Sequence, residues 1–326
     1  MFTKLQLYIL AGCLLATVAV FAVYEFWQRA PLRGFVLPTS VSGSGSRNSE
    51  DADSLATGLK SHRTLPETQF PDSYFKLTAD SRTDVKATDG NQKVDAVVKL
   101  TYAQQKTNGG IILTFYSMEL KMHEGTSLME DVLMTRDKFV QQVGNQKTET
   151  AFDEMPWQQQ QAAAGAFETN LCKITTDADQ NELDRQILSE AGYAVLKDGN
   201  VNTVRLMHGP FHRTADRWQC VKRIPMANGF ILDCPLEYSK AGGNRNEITI
   251  SGSLAKDTVD SPQGLTMKNI SFSLSGSEYF DETAEEYTSG KMVLQYKFQA
   301  FQNDAQIGSL EGRVELTLER VVTNKK

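Results

Sequence analysis

Histidine and cysteine are both scarce, with four of each among 326 residues. The chain therefore does not depend on a framework of disulfide bridges, and it offers few histidine or thiolate ligands for a metal centre. HExxH, GxSxG, P-loop and GxGxxG signatures are all missing. So is any basic excess. There are 34 Lys and Arg against 40 Asp and Glu, a net charge of −6 without a cationic stripe, which disfavours nucleic acid as a partner. No cofactor is implied.

Charge is absent altogether from Leu5 to Tyr24, where Gln6 and Thr17 are the clearly polar residues. Twenty helical residues at about 1.5 Å each span roughly 30 Å, enough to cross a hydrocarbon core. Tyr24, Phe26 and Trp27, followed by Arg29 and Arg33, resemble an interfacial flank. Three readings compete. The preferred one is an uncleaved transmembrane signal anchor over residues 5–27, behind a cytoplasmic tail of residues 1–4. The second is a lipoprotein lipidated at Cys13, because Leu10-Ala11-Gly12-Cys13 resembles a lipobox. Against it, the stretch before Cys13 is short and Leu14-Leu15 follows where small or polar residues are usual. The third is secretion after cleavage near Ala22. All three place the bulk outside the cytoplasm, and the first makes the bilayer a partner through residues 5–27. Residues 28–70 are rich in Ser, Gly, Asp, Thr and Pro and read as a flexible tether, with His62 solvated in it.

Residues 71–326 read as one β-rich extracytoplasmic region. Val94, Ala96, Val98, Leu100 and Tyr102 alternate with polar residues. After Asn108-Gly109 the alternation resumes through Met118, Leu120 and Met122, which predicts a hairpin with a loop longer than two residues. Four further alternating segments centre on Ile250, Phe272, Leu294 and Leu316 and predict a closing antiparallel meander. In the middle, Pro156 can open a helix over "WQQQQAAAGAF". A second helix is expected within residues 188–207, although Gly192 and Gly199 weaken it. Between the two helices lie strand, acidic turn and strand. The fold class is therefore α+β, mainly antiparallel β: a strongly curved sheet or incomplete barrel covered by one or two helices, behind a transmembrane helix.

The individual motifs are weak. Asp177-Ala-Asp179-Gln-Asn181 begins like a calcium loop, but Glu182 and Leu188 stand where glycine and glutamate are needed, so it reads as an exposed turn. His208 and His212 have helical zinc spacing, yet Gly209-Pro210 interrupts a helix and no third ligand lies nearby. They remain weak metal candidates. An enzymatic reading has a single candidate cleft, joining them with Asp216. Three cysteines follow the tether: Cys172, Cys220 and Cys234. Pairing Ile224 with Phe230 across a five-residue loop keeps both faces consistent and sets Cys220 opposite Cys234, a candidate disulfide whose alternative is two buried thiols.

From about residue 90 to 322 the chain resembles an uncharacterised group of exported bacterial β-rich domains of unknown function. The resemblance rests on the early hairpin "VVKLTYAQQKTNGGIILTFYSMELKM", the helical centre, "GPFHRTADRWQCVKRIPMANGFILDCPLEY" and the final meander. Thr214-Ala-Asp216-Arg-Trp218 stands where the group usually has Gly-Asp-x-Trp, so the glycine is missing. The resemblance implies a fold and an exported address and no function. The sequence then reads as a binding or structural module of the cell envelope on the inner membrane, its partner an envelope protein or a lipid. One alternative is a periplasmic carrier of lipid or another hydrophobic ligand. Another is an enzyme with an unrecognised site. The anchor reading has a direct check: the intact mass of protein extracted from membranes should be that of the uncleaved chain. A mature chain starting at Cys13 with added acyl mass would establish the lipoprotein instead.

Overall fold

A computed structural model describes residues 70–323 apart from 88–89, 178–180, 226–230, 242–243, 261–264 and 303. The tail, the anchor with Cys13 and Ala22, and the tether up to residue 69 with His62 lie outside the described residues. Among the described residues no helix is long and apolar enough to cross a membrane.

A strand that the alternation does not single out, β1 (Ser73–Ala87), precedes the early alternating segments, which form β2 (Gly90–Thr107) and β3 (Gly110–Glu124). Three shorter strands follow: β4 (Ser127–Thr135), β5 (Lys138–Val143) and β6 (Gln146–Ala151). The acidic hairpin is β7 (Asn170–Thr176) and β8 (Glu182–Ile187). Its turn is held at the base by Asp177, whose carboxylate accepts the Asn181 backbone N–H at 2.7 Å and side-chain amide at 2.9 Å. β9 (Arg217–Pro225) and β10 (Ile231–Ala241) precede the expected meander of β11 (Asn244–Asp260), β12 (Leu265–Asp281), β13 (Glu286–Gln302) and β14 (Ala305–Val322). At about 3.3 Å per residue the longest strands run roughly 55 Å.

All strand pairs are antiparallel, and the main path runs β6-β5-β4-β3-β2-β1-β14-β13-β12-β11-β10-β9. The first strand lies beside the last, with Ser73 opposite Val322. β3 is a branch point. Its second half pairs with β4 and its first half with β7, which carries β8. The sheet is unclosed: β9 pairs with β10 alone and β8 with β7 alone.

Two sequence expectations are corrected here. The β2–β3 loop is a minimal two-residue turn, because Thr107 lies opposite Gly110. Asn-Gly is the pair such turns favour. The phase mismatch that suggested a longer loop is absorbed by a bulge, where Thr101 faces Ser117 but Tyr102 faces Phe115, leaving Tyr116 as the extra residue. The β9–β10 loop has five residues but starts one residue later than expected, since Pro225 pairs with Ile231 and Ile224 with Leu232. In an antiparallel pair that moves every partner by two, so Cys220 faces Leu236 and Cys234 faces Lys222. Diagonal neighbours lie roughly 7–8 Å apart, beyond the usual disulfide span. Cys172, Cys220 and Cys234 are buried thiols, none of them in a disulfide among the described residues.

Helical elements accompany the sheet and pack against it. They are a short 3-10 turn (Phe152–Glu154), α1 (Trp157–Ala166) and α2 (Glu190–Leu206). Pro156 is the N-cap of α1 rather than its first residue. Small residues let the helices approach. A Cβ on Gly192 would lie 1.9 Å from the Gly165 carbonyl oxygen, so only glycine fits. Ser189 caps α2 by accepting the Gly192 N–H at 3.3 Å. From Gly199 to Pro210 every residue is buried. The second half of α2 and the segment after it thus run through the interior, against the inward side chains of β1, β2, β10, β12 and β13.

Gly192→Ala should separate α1 from α2 and destabilise the fold by about 1–3 kcal/mol, read as a lower urea midpoint. An unchanged midpoint would show that this contact does not hold the helices together.

Candidate functional site

At one end of the sheet three turns converge: β2–β3, β7–β8 and β12–β13. They surround a cavity of about 450 Å³ lined at its rim by Lys106, Thr107, Asp177 and Glu285. Lys106 donates to the Glu285 carbonyl oxygen and Arg213 pairs with the Glu285 carboxylate, so the β2–β3 and β12–β13 turns are tied together. Phe75, Arg205, His208 and Tyr287 line it deeper in. The same end holds both termini of the folded part, where Thr323 N–H donates to the Asp72 carbonyl at 2.9 Å.

Below the cavity runs Met207-His208-Gly209-Pro210, buried and irregular. Its backbone groups find partners on several strands. Lys222 Nζ on β9 donates to the His208 carbonyl at 3.2 Å. The Gly209 N–H donates to Glu278 Oε2 on β12 at 3.4 Å. Tyr287 on β13 donates to the Gly209 carbonyl at 3.0 Å, and Trp218 Nε1 on β9 to the Pro210 carbonyl at 3.1 Å. A hydrogen bond of 2.6 Å joins the His208 imidazole to the Tyr102 hydroxyl on β2. Gly209 has no room for a side chain, because a Cβ there would lie 2.5 Å from the Tyr238 ring.

Burial sets the protonation states. Burial, then the charges of Arg205 and Lys222, hold His208 well below the ordinary histidine value, so it is neutral at pH 7. Burial raises Glu278 well above the usual carboxylate range, against the pull of Lys222. Lys222 is lowered to about 8 by burial first and Arg205 second. The thiols are no readier to ionise: burial pushes Cys234 up to about 11 and raises Cys220. Two polar atoms at the cavity are buried without a partner, Gln104 Nε2 and Thr107 Oγ1. Buried polar atoms are usually paired, so these two stand out in the cavity wall.

The zinc pairing of His208 with His212 does not form. Gly209-Pro210 ends the helix, His208 turns into the interior, and His212 packs 5.4 Å from the Trp218 ring. Among the described residues no cluster of His, Cys, Asp and Glu could hold a metal. Asp216 is exposed, and neither it nor His212 lines the cavity that His208 reaches, so the three share no cleft there. Sequence reasoning missed Lys222, Glu278, Arg205, Gln104 and Thr107. For the first two a signal existed. Lys222 follows Cys220 and Glu278 follows Leu274 at inward positions, and a charge in such a row announces a buried polar role.

No family model and no curated protein matches the chain, in keeping with its resemblance to an uncharacterised group. Among solved structures it is similar to lipovitellin, from a study of lipid–protein interactions. That match has a TM-score of 0.39 and 12% identity over 79% of this chain and 26% of that one, so this chain spans about a quarter of lipovitellin. It is similar also to the β domain of the Bordetella autotransporter BrkA, with a TM-score of 0.22 and 7% identity over 78% of this chain and 100% of that one. A third similarity is to Acinetobacter baumannii OccAB4, with a TM-score of 0.22 and 7% identity over 79% of this chain and 100% of that one. At these scores no functional statement follows. The class of protein is set by the architecture of the described residues: a mainly antiparallel, unclosed, curved β sheet accompanied by helical elements.

The burial of His208 has a pH consequence. An unfolded histidine titrates near 6.5, and the folded one resists protonation. Below that pH the unfolded chain binds a proton the folded chain excludes, so stability is lost as pH falls. The loss grows by at most about 1.4 kcal/mol per pH unit. His208→Gln should flatten the acid limb relative to wild type in urea melts between pH 7 and 5. Parallel limbs would show that His208 titrates normally.

Proposed function

We propose that this chain is a membrane-anchored, extracytoplasmic binding module of the cell envelope that holds a small polar ligand in the cavity at the mouth of its barrel. The carrying observation is the unpaired couple Gln104 Nε2 and Thr107 Oγ1, buried at the wall of a roughly 450 Å³ space. A ligand that accepts from the Gln104 amide and bonds the Thr107 hydroxyl would complete both, and Arg205 supplies positive charge deeper in. The anchor and tether, read from the sequence, supply the address. Phe70, where the tether joins, packs on Tyr74 and Tyr116, and β1 enters at the mouth end. The inward apolar side chains form one packed cluster. The reading therefore rests on the polar mouth rather than on a lipid-filled lumen.

Native mass spectrometry of the full chain, purified from its own envelope in mild detergent, tests this. Wild type should carry a small non-lipid mass. Gln104→Leu should lose most of it while the ligand-free protein melts at or above the wild-type temperature, since removing an unpaired buried donor costs no bond. No bound mass in wild type, or equal occupancy in the variant, would refute the reading.

A further inference from the structure

A second cavity, of about 230 Å³, lies between β8 and β9 on the far side of Arg205. The seam is bridged where the Val221 N–H donates to Asn181 Oδ1 at 3.3 Å. Lys222 points inward from β9 into this space, yet its residue is 5% exposed. An ammonium has three donors. The hydrogen bond Lys222 makes is to the His208 carbonyl. Burying an ammonium costs several kcal/mol unless it is compensated. Arg205, 8% exposed, lines the same space beside the Asn202 amide. Two carboxylates also border it. Glu182 is held by both N–H groups of a third cation, Arg185, at 2.9 and 2.7 Å. Asp233 sits at the exposed outer face of β10. The interior of the seam is therefore cationic.

We propose that the β8–β9 seam binds a small oxyanion, a carboxylate or phosphate group, on Lys222 and Arg205. The ammonium supplies charge-assisted hydrogen bonds, and the Arg205 guanidinium beside it adds positive charge. Asn202 contributes a side-chain amide, and its own oxygen is taken by Arg185 at 2.5 Å. This site goes beyond the mouth-cavity reading and is separable from it, because Lys222 lines the seam but not the mouth, and Lys106 the reverse. Binding weakens as pH rises past about 8, where the amine loses its proton. The groups facing that amine are Arg205 on α2, His208 after it, Cys220 on its own strand, Glu182 on β8, Glu278 on β12 and, beside Cys220, Tyr238 on β10.

The test is thermal unfolding of the full chain in non-ionic detergent, titrated with sodium phosphate, sodium acetate or sodium chloride at matched ionic strength. At pH 7 phosphate or acetate should raise the melting temperature saturably, and chloride should not. A response to acetate identifies a carboxylate site, and a response to phosphate alone a phosphate site. Lys222→Met should weaken the apparent affinity at least tenfold, and its unliganded melt should lie below wild type, because the buried His208 carbonyl loses its donor. Lys106→Ala should titrate as wild type. Should Lys222→Met not fold, wild type at pH 9.5 gives the second reading, an affinity several-fold weaker than at pH 7. Absence of any saturable response overturns the proposal. So does a chloride response of equal size, a Lys222→Met protein that titrates like wild type, or an affinity unchanged at pH 9.5.

Discussion

The structure turns on one constraint: the backbone of His208-Gly209-Pro210 is buried without being helix or strand. Buried peptide groups need hydrogen-bond partners, and each one left unmade costs about 1–3 kcal/mol. Regular structure would supply them locally. Here α2 ends at Leu206, so side chains do it instead: Lys222, Trp218, Glu278 and Tyr287 reach in from β9, β12 and β13. Each of these bonds ties a strand to the buried segment. The unusual charges follow from the same need. Lys222 and Glu278 are buried because their polar ends serve a buried backbone, and their perturbed protonation is a consequence of where they must stand.

The strands were legible because a half-buried pleat writes itself into every second residue. The meander from Asn244 to Val322 and the β2–β3 hairpin were readable for that reason. What failed were features to which a period of two is blind. A bulge shifts phase without leaving a residue type behind, so alternation alone keeps Tyr116 in one row with Met118 and makes the loop longer than it is. A slip of two residues leaves every side chain on its face, so the β9–β10 register could not be decided from alternation, and with it went the opposed cysteines. The pairing of β1 with β14 joins segments far apart in the sequence, which no local pattern carries.

The candidate site was legible only in part. Tyr102 was placed inward by its row, and His208 was noticed for a metal-like spacing it does not use. Their contact spans 106 positions in sequence and follows from the route of α2 through the barrel. Gln104 and Thr107 carry no sequence signal, since their importance lies in lacking partners. Gly192 weakened the case for a helix by propensity, whereas packing against Gly165 demands a glycine there. Tertiary need overrode local preference.

The same accounting explains why the sheet is left open. Joining β8 to β9 would remove two strand edges, which are otherwise liabilities for association. It would also close the cavity that Lys222 and Arg205 line, and the remaining access of two buried cations to water with it. The edge is managed by other means. Lys222 points inward from the edge strand, a device that discourages further pairing, and Asn181 takes the place of a backbone carbonyl at the Val221 N–H. A gap between strands is thus the cheaper solution once the buried segment has called a lysine inside. The cavity there lies beside the buried segment, with Lys222 and Arg205 in its lining.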